Sequence, residues 1–413
     1  MNFHEDLSAQ SFTPQDKWFQ TFKAENQNLL EKAEIPNRRT ETWKYTNLAS
    51  FLKEDFKIKS TASPKSLISD EPGFTNIHIQ HGHLNQQTFQ GLLDLGAECT
   101  PLTHINSDEI KDLLTGDAFF KNDYINLVNN SYLNNAWVIK FNKNFKSQNP
   151  VILNHYIGEK HAHLCSQLFI VLEDNVQVNL LENFNSQDES TLFNYKSHIK
   201  LAPGSHLCHV LNQHLGLADH FIYSLNSHID RDAHYNSCII NQGARLSRSN
   251  LYVNLHATGA TADVHGLYQL KENQHHDTMS FIHHNCEHTY SHQLYKGILS
   301  DSSRGIFTGR VRVEKNAQQI NAEQLNKNLL LSKKAHTNSR PQMEIYADDV
   351  KCAHGSTTGQ ISEEEMFYFT SRGITPEKAH KMLAQAYTND VLLKINNLKI
   401  RSYMQSHLEK MDF

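Results

Sequence analysis

Residues Ser247–Gly259 read SRSNLYVNLHATG, and the fold turns on how they are read. Apolar and polar side chains alternate, the period-2 pattern of a strand, and the run closes on a glycine. Similar runs lie on both sides. AWVIKFN, PVILNHYI, QLFIVLE, VQVNLLEN and SHIKLAPG come before it, and TMSFIHHN, HTYSHQLYKGIL, RGIFTGRVRVEK, QQINAEQLNKNLLL and QMEIYADDVKCAHG come after. Asn, Gly, Asp and Ser mark most of the boundaries. Between Asn135 and Gly359 no amphipathic pattern lasts three helical turns. So long a series of short strands leaves a sandwich, a barrel, a propeller or a solenoid. The runs lack the strong hairpin dipeptides that join antiparallel neighbours, which favours stacked parallel rungs, although no exact repeat period is visible.

Outside that core the character changes. Residues 1–130 read as a mixed but largely helical region. DKWFQTFKAENQNLLEKA sets Trp18, Phe22, Leu29 and Ala33 at helical spacing, and Pro36 ends that helix. NIHIQHGHL reads as a short strand, and Ser107 is placed to cap SDEIKDLL. Residues 131–360 form the β core and 361–413 a second helical region. There Ser362 and Glu365 have capping-box spacing, and Arg372 and Gly373 mark a stop. Thr375 and Pro376 start a further helix, with Ala379, Met382, Leu383, Ala386 and Tyr387 as its apolar stripe. These helices either cap the solenoid end or bind a partner.

Composition excludes several classes. The 413 residues carry a net charge of −5 and no basic block, which argues against nucleic acid. The start has no signal-peptide pattern and no apolar run approaches a membrane span, so the chain is expected to be cytoplasmic. Six cysteines without a CxxC pair give neither a disulfide framework nor a self-contained cluster or zinc ribbon. Neither a P-loop nor a Rossmann fingerprint occurs, so no ATP hydrolysis is expected of the chain alone.

The 27 histidines make chance pairs common. About two HxH pairs are expected on a random count, and two occur, His81–His83 and His161–His163. Cys and His two apart are expected about once, yet several such pairs occur, among them His163–Cys165, His206–Cys208, Cys286–His288 and Cys352–His354. In a strand such pairs share a face, and thiolate with imidazole suits iron or zinc, provided that further ligands converge. His283, His284, His288 and His292 read as a surface row. A cupin-like metal enzyme is the competing reading, weakened by the lack of a carboxylate after His161 and His163. A carbohydrate-active β-helix is a third, weakened by the lack of a paired acidic site.

PQMEIYADDVKCAHGSTTG (Pro341–Gly359) followed by SEEEMFYFTSRGI resembles the SufD branch of the SufB/SufD family of the SUF iron–sulfur cluster assembly system. NRRTETWKYTNL and HTYSHQLYKGILSDSSRGIFTGRV resemble other signatures of that family. No amino-terminal cysteine cluster of the SufB kind is present. The resemblance implies a mainly β protein, a right-handed parallel β-helix (solenoid) flanked by N-terminal and C-terminal helical regions. It implies a non-catalytic scaffold subunit that pairs with SufB through the β-helix and binds the ATPase SufC through the C-terminal helices. A homodimer of the isolated chain is also open. A transient iron–sulfur cluster forms at a subunit interface and a reduced flavin is associated with the complex, with nothing tightly bound by the isolated chain. His354, assisted by Cys352, is the expected metal-ligating pair, completed by the partner.

Overall fold

A computed structural model describes residues 17–48, 56–58, 70–84, 91–105, 107–115, 122–157 and 160–409. Two ten-stranded sheets dominate it. The first contains β1 (Lys57–Ile58), β4 (Ala97–Pro101), β5 (Asn135–Phe141), β7 (Ala162–Leu172), β9 (Leu192–Leu201), β11 (His220–Ile229), β13 (Leu246–Leu255), β15 (His275–His284), β17 (Arg304–Val313) and β19 (His336–Ile345). The second contains β2 (Thr75–Gln80), β3 (His83–Leu84), β6 (Val151–Ile157), β8 (Gln177–Ser186), β10 (His206–His214), β12 (His234–Asn241), β14 (Thr261–Leu270), β16 (Tyr290–Leu299), β18 (Ile320–Leu330) and β20 (Val350–Gln360). From β5 onward the chain alternates between the sheets, and each strand pairs in parallel with the strand two ahead. This is a β-solenoid of about 8 turns. All pairings among β5 to β20 are parallel, which removes the antiparallel jelly roll that a cupin-like enzyme needs. β2 and β4 join the sheets from upstream of residue 131, so the region expected to be largely helical also contributes to the solenoid.

The turn length explains why no repeat period is legible. Register joins His206 to His234, His234 to Thr261, Thr261 to Tyr290 and Tyr290 to Asn321, a step of about 27–31 residues that never settles. The constant feature is a corner. Asn175, Gly204, Asp232, Gly259, His288 and Gln319 all adopt positive φ, and each backbone N–H donates to a carbonyl in the next turn. Gly and Asn take this conformation readily, and Asp with less strain than most residues. One corner position is therefore filled by five residue types.

Between the sheets lies an apolar core with reciprocal interlocks. Gly266 on β14 faces Tyr295 on β16, and Tyr268 faces Gly297 one step along. A Cβ on Gly266 would lie 2.3 Å from the Tyr295 ring, and one on Gly297 would lie 2.1 Å from the Tyr268 ring. One buried anion also sits in this core. Glu182 accepts hydrogen bonds from His155 Nε2 (3.0 Å), His209 Nε2 (2.8 Å) and the Tyr195 hydroxyl (2.5 Å). Burial alone would raise its carboxyl, but the hydrogen bonds and charge of the two histidines hold it down at about 2.

Helices cover the outer faces. α1 (Lys17–Lys32), α2 (Asp108–Thr115) and α3 (Tyr124–Ser131) lie over the first sheet. The buried stripe of α1 is Phe19, Phe22 and Asn26; of the residues expected at helical spacing, Phe22 is buried and Trp18 packs against the same cluster, while Ala33 lies just past the helix end. Leu29 is exposed because Asn26 takes the buried position and accepts from Asn130 Nδ2 at 3.0 Å. The NRRTETWKYTNL segment packs on the same sheet. The Trp43 Nε1–H donates to Asp123 at 2.7 Å, and the Arg248 guanidinium stacks 3.9 Å over the indole.

α4 (Glu363–Thr370) has the capping box at Ser362 and Glu365, and Gly373 has φ of 75° at the stop. Thr375 caps α5 (Pro376–Leu392). A further helix, α6 (Leu398–Glu409), was not foreseen. α5 and α6 cover the face of the second sheet rather than the solenoid end. Val391, Leu392, Ile400 and Met404 pack on Leu181, Cys208, Val210 and Cys238. The α5 stripe is Ala379, Ala384, Thr388, Val391 and Leu392, while Met382 and Ala386 point outward. α4 buries no residue, and Phe367 is 72% exposed.

Candidate functional site

The C-terminal end of the solenoid is open. β19 and β20 are the last rungs of their sheets, and β20 is exposed along most of its length. A long strand with an unpaired edge is a template for another chain. Cys352 and His354 lie on this edge strand. Register places Cys352 beside Ala322 and His354 beside Gln324 of β18. Gln324 points inward across the solenoid, because a Cβ on Gly309 of β17 would lie 2.1 Å from its Nε2. Cys352 and His354 therefore share the inner face, as the i, i+2 rule requires.

The two residues have different surroundings. Cys352 is half-buried against a small apolar cluster that includes Val311, Ile320 and Ala322, and burial pushes its thiol up. His354 is exposed. The thiol is thus protonated at neutral pH in this chain alone, and the imidazole is the accessible donor. Gln324 is fully buried next to His354, and neither its Nε2 nor its Oε1 has a hydrogen-bond partner. Sequence reasoning missed this orphaned amide. In NAEQLNKNLL the polar residues Gln324, Asn326 and Asn328 are the inward set, the reverse of the usual pattern.

The remaining Cys–His pairs do not gather into a second centre of this kind. His163 and Cys165 are buried under α3, with Sγ 3.2 Å from Nε2 and burial lowering the imidazole to about 3. Cys208 is buried beneath the C-terminal helices, while its neighbour His206 is exposed. Cys286 and His288 sit in a corner between β15 and β16, not in the strand that was expected. Of the HxH pairs, His81 and His161 take positive φ in turns. On the first sheet, a cavity of about 470 Å³ is lined by Arg38, Lys44, Arg245 and Arg304, with no carboxylate among the described residues.

The family model "SUF system FeS cluster assembly, SufBD core domain" matches residues 155–387, more than half of the chain. The chain belongs to the SufBD family. The SufBD match takes in β7 through α4 and most of α5. The chain is 27% identical to iron-sulfur cluster assembly protein SufD of Escherichia coli, covering 91% of each chain. It is 27% identical to an iron-sulfur cluster assembly SufBD family protein of Synechocystis, over 89% of this chain and 85% of that one. It is 22% identical to SufD of Bacillus subtilis, over 92% and 89% respectively. No helix among the described residues is long and apolar enough to cross a membrane.

Proposed function

We propose that this SufBD protein is a non-catalytic, cytoplasmic scaffold subunit for iron–sulfur cluster assembly. It pairs with SufB along the open last turn and binds SufC through the C-terminal helices. The observation that carries this reading is the unpaired β20 edge, with Cys352 and His354 on its inner face. Among the described residues, the preceding rung places Ala322 and Gln324 in register with the pair, and neither is a ligand for iron. A nascent cluster needs about four ligands, and the partner supplies the remainder. The reduced flavin associated with such complexes carries phosphate, and the cationic cavity on the first sheet has the matching charge.

The SufC contact falls on α4. Its aromatic side chains Phe367 and Tyr368 are exposed, whereas α5 and α6 use their apolar faces on the sheet. Deleting the whole helical region would strip that sheet, so the informative variant is Phe367→Ala with Tyr368→Ala. It should lose SufC from the complex while the core stays folded. His354→Ala in the complex reconstituted with SufB and SufC should leave assembly intact by size-exclusion chromatography and lower cluster absorbance, with Cys352→Ala giving a smaller loss. Normal cluster yield from the double substitution would refute the shared site, and loss of the complex would assign the pair a structural role.

A further inference from the structure

The outer face of the second sheet holds a cluster that the interface reading does not use. Asp263 and His265 stand two apart on β14 and face the same way, and His292 on β16 is in register with Asp263. Parallel rungs stack about 4.8 Å apart. One donor atom from each of the three residues lies within 4.8 Å of the others. His234 Nε2–H donates to Asp263 Oδ2 at 2.8 Å, while Oδ1 lies 3.9 Å from His292 Nδ1. The other ring nitrogen of His292 is 3.6 Å from Glu323 Oε2, opposite it on β18. His265 is 1% exposed, and its Nδ1 has no hydrogen-bond partner. A buried imidazole nitrogen left unpaired is destabilising, so its placement beside a carboxylate and a second imidazole calls for an explanation.

We propose that Asp263, His265 and His292 form a binding site for a first-row divalent cation such as Fe(II) or Zn(II). Two donors of one such ion lie at most about 4.2 Å apart, twice a metal–ligand bond of about 2.1 Å. The 3.9 Å between Asp263 and His292 already fits, and small side-chain rotations close the remaining gap. Two imidazoles and one carboxylate suit iron or zinc rather than the all-oxygen shells of magnesium or calcium. His234 holds the Asp263 carboxylate, and Glu323 faces the far nitrogen of His292, the places that orienting groups occupy around bound metals. Lys394, between α5 and α6, opposes a cation here, and the carboxylates of Asp263 and Glu323 offset it. Three donors leave coordination positions open, which allows the ion to exchange.

This cluster lies on the outer face two to three rungs from Cys352 and His354, which face inward, so the two sites fail separately in a test. The full-length chain is titrated with Co(II), Zn(II) and anaerobic Fe(II), as wild type and as the Cys352→Ala/His354→Ala variant. Both should bind one ion per chain, with cobalt d–d bands and no thiolate charge-transfer band. His292→Ala and Asp263→Asn should each weaken binding by at least about tenfold with little change in the unfolding midpoint. X-ray absorption of the zinc-loaded wild type should show imidazole scattering with only nitrogen and oxygen neighbours, a readout that needs no variant to fold. The proposal is overturned by no binding, by unchanged affinity in both variants, by a sulfur scatterer, or by loss of the ion when Cys352 and His354 are replaced.

Discussion

Glu182→Leu tests whether the anion buried between the sheets holds its rungs together. The substitution leaves three buried donors without their acceptor: His155 Nε2, His209 Nε2 and the Tyr195 hydroxyl. An orphaned buried polar group costs about 1–3 kcal/mol, and removing one partner of a buried ion pair typically costs about 3–5 kcal/mol. The leucine recovers some apolar contact, so a net loss of about 4 kcal/mol is expected. In a solenoid each rung contacts chiefly its neighbours, so the loss should be local. Hydrogen exchange read by mass spectrometry is the assay. Amides of β6, β8 and β10 should lose protection by about 10³-fold, the equivalent of 4 kcal/mol, while β16 and β18 change little. Replacing the histidines and Tyr195 by apolar residues together with Glu182 should restore much of the protection, because a well-packed apolar substitute for a buried ion pair is often neutral. A change below about threefold at β8, or an equal loss along the whole solenoid, would refute the reasoning.

Gly297→Ala should destabilise the protein by about 1–3 kcal/mol, measured by urea unfolding, because its Cβ would overlap the Tyr268 ring; adding Tyr268→Leu should relieve the cost. The fold should also be acid-labile above the usual carboxylate range. Burial holds His163, His276 and His284 near 3 and His220 and His275 near 4, while the unfolded chain takes up these protons near 6.5. Their contribution is complete above about pH 6.5 and is lost as pH falls towards 4, at up to about 1.4 kcal/mol per pH unit for each histidine. Melting temperatures should therefore drop steeply between pH 6.5 and 4.5 and stay level from 7 to 8.5, and equal stability at pH 4.5 and 7 would contradict this. Ser362→Ala should fray α4 at a cost of about 1 kcal/mol, seen as faster exchange of the Glu365 amide, which donates to the Ser362 hydroxyl.

The strands and helix caps were legible because they depend on neighbours in sequence. Alternation in SRSNLYVNLHATG gives β13, and the Ser362–Glu365 and Thr375–Pro376 signals give the starts of α4 and α5. What depends on neighbours in space was not legible. The α5 stripe was misassigned at Met382 and Ala386 because a helix lying on a sheet can bury small and polar residues such as Ala384 and Thr388, and Thr388 accepts from Gln269 Nε2 at 3.0 Å. The inward set of β18 was obscured because Gln324, Asn326 and Asn328 are polar although fully or nearly buried.

The same limit explains the candidate sites. Residues i and i+2 of a strand share a face, but that rule says neither which face it is nor what the next rung brings. Four of the Cys–His pairs read alike in sequence and have four different surroundings: beneath α3, beneath the C-terminal helices, in a corner, and on an open inner edge. Asp263 and His265 form a pair of the same spacing, and what distinguishes them is His292, placed beside them by a 29-residue turn. That turn length is one of several, so the third ligand could not be located by counting. Beside Cys352 and His354 the preceding rung brings Ala322 and Gln324, neither of which is a ligand for iron, and among the described residues β20 has no following rung. Stacking thus completes one site within the chain and leaves the other facing an unpaired edge, the reason its remaining ligands are sought on a partner.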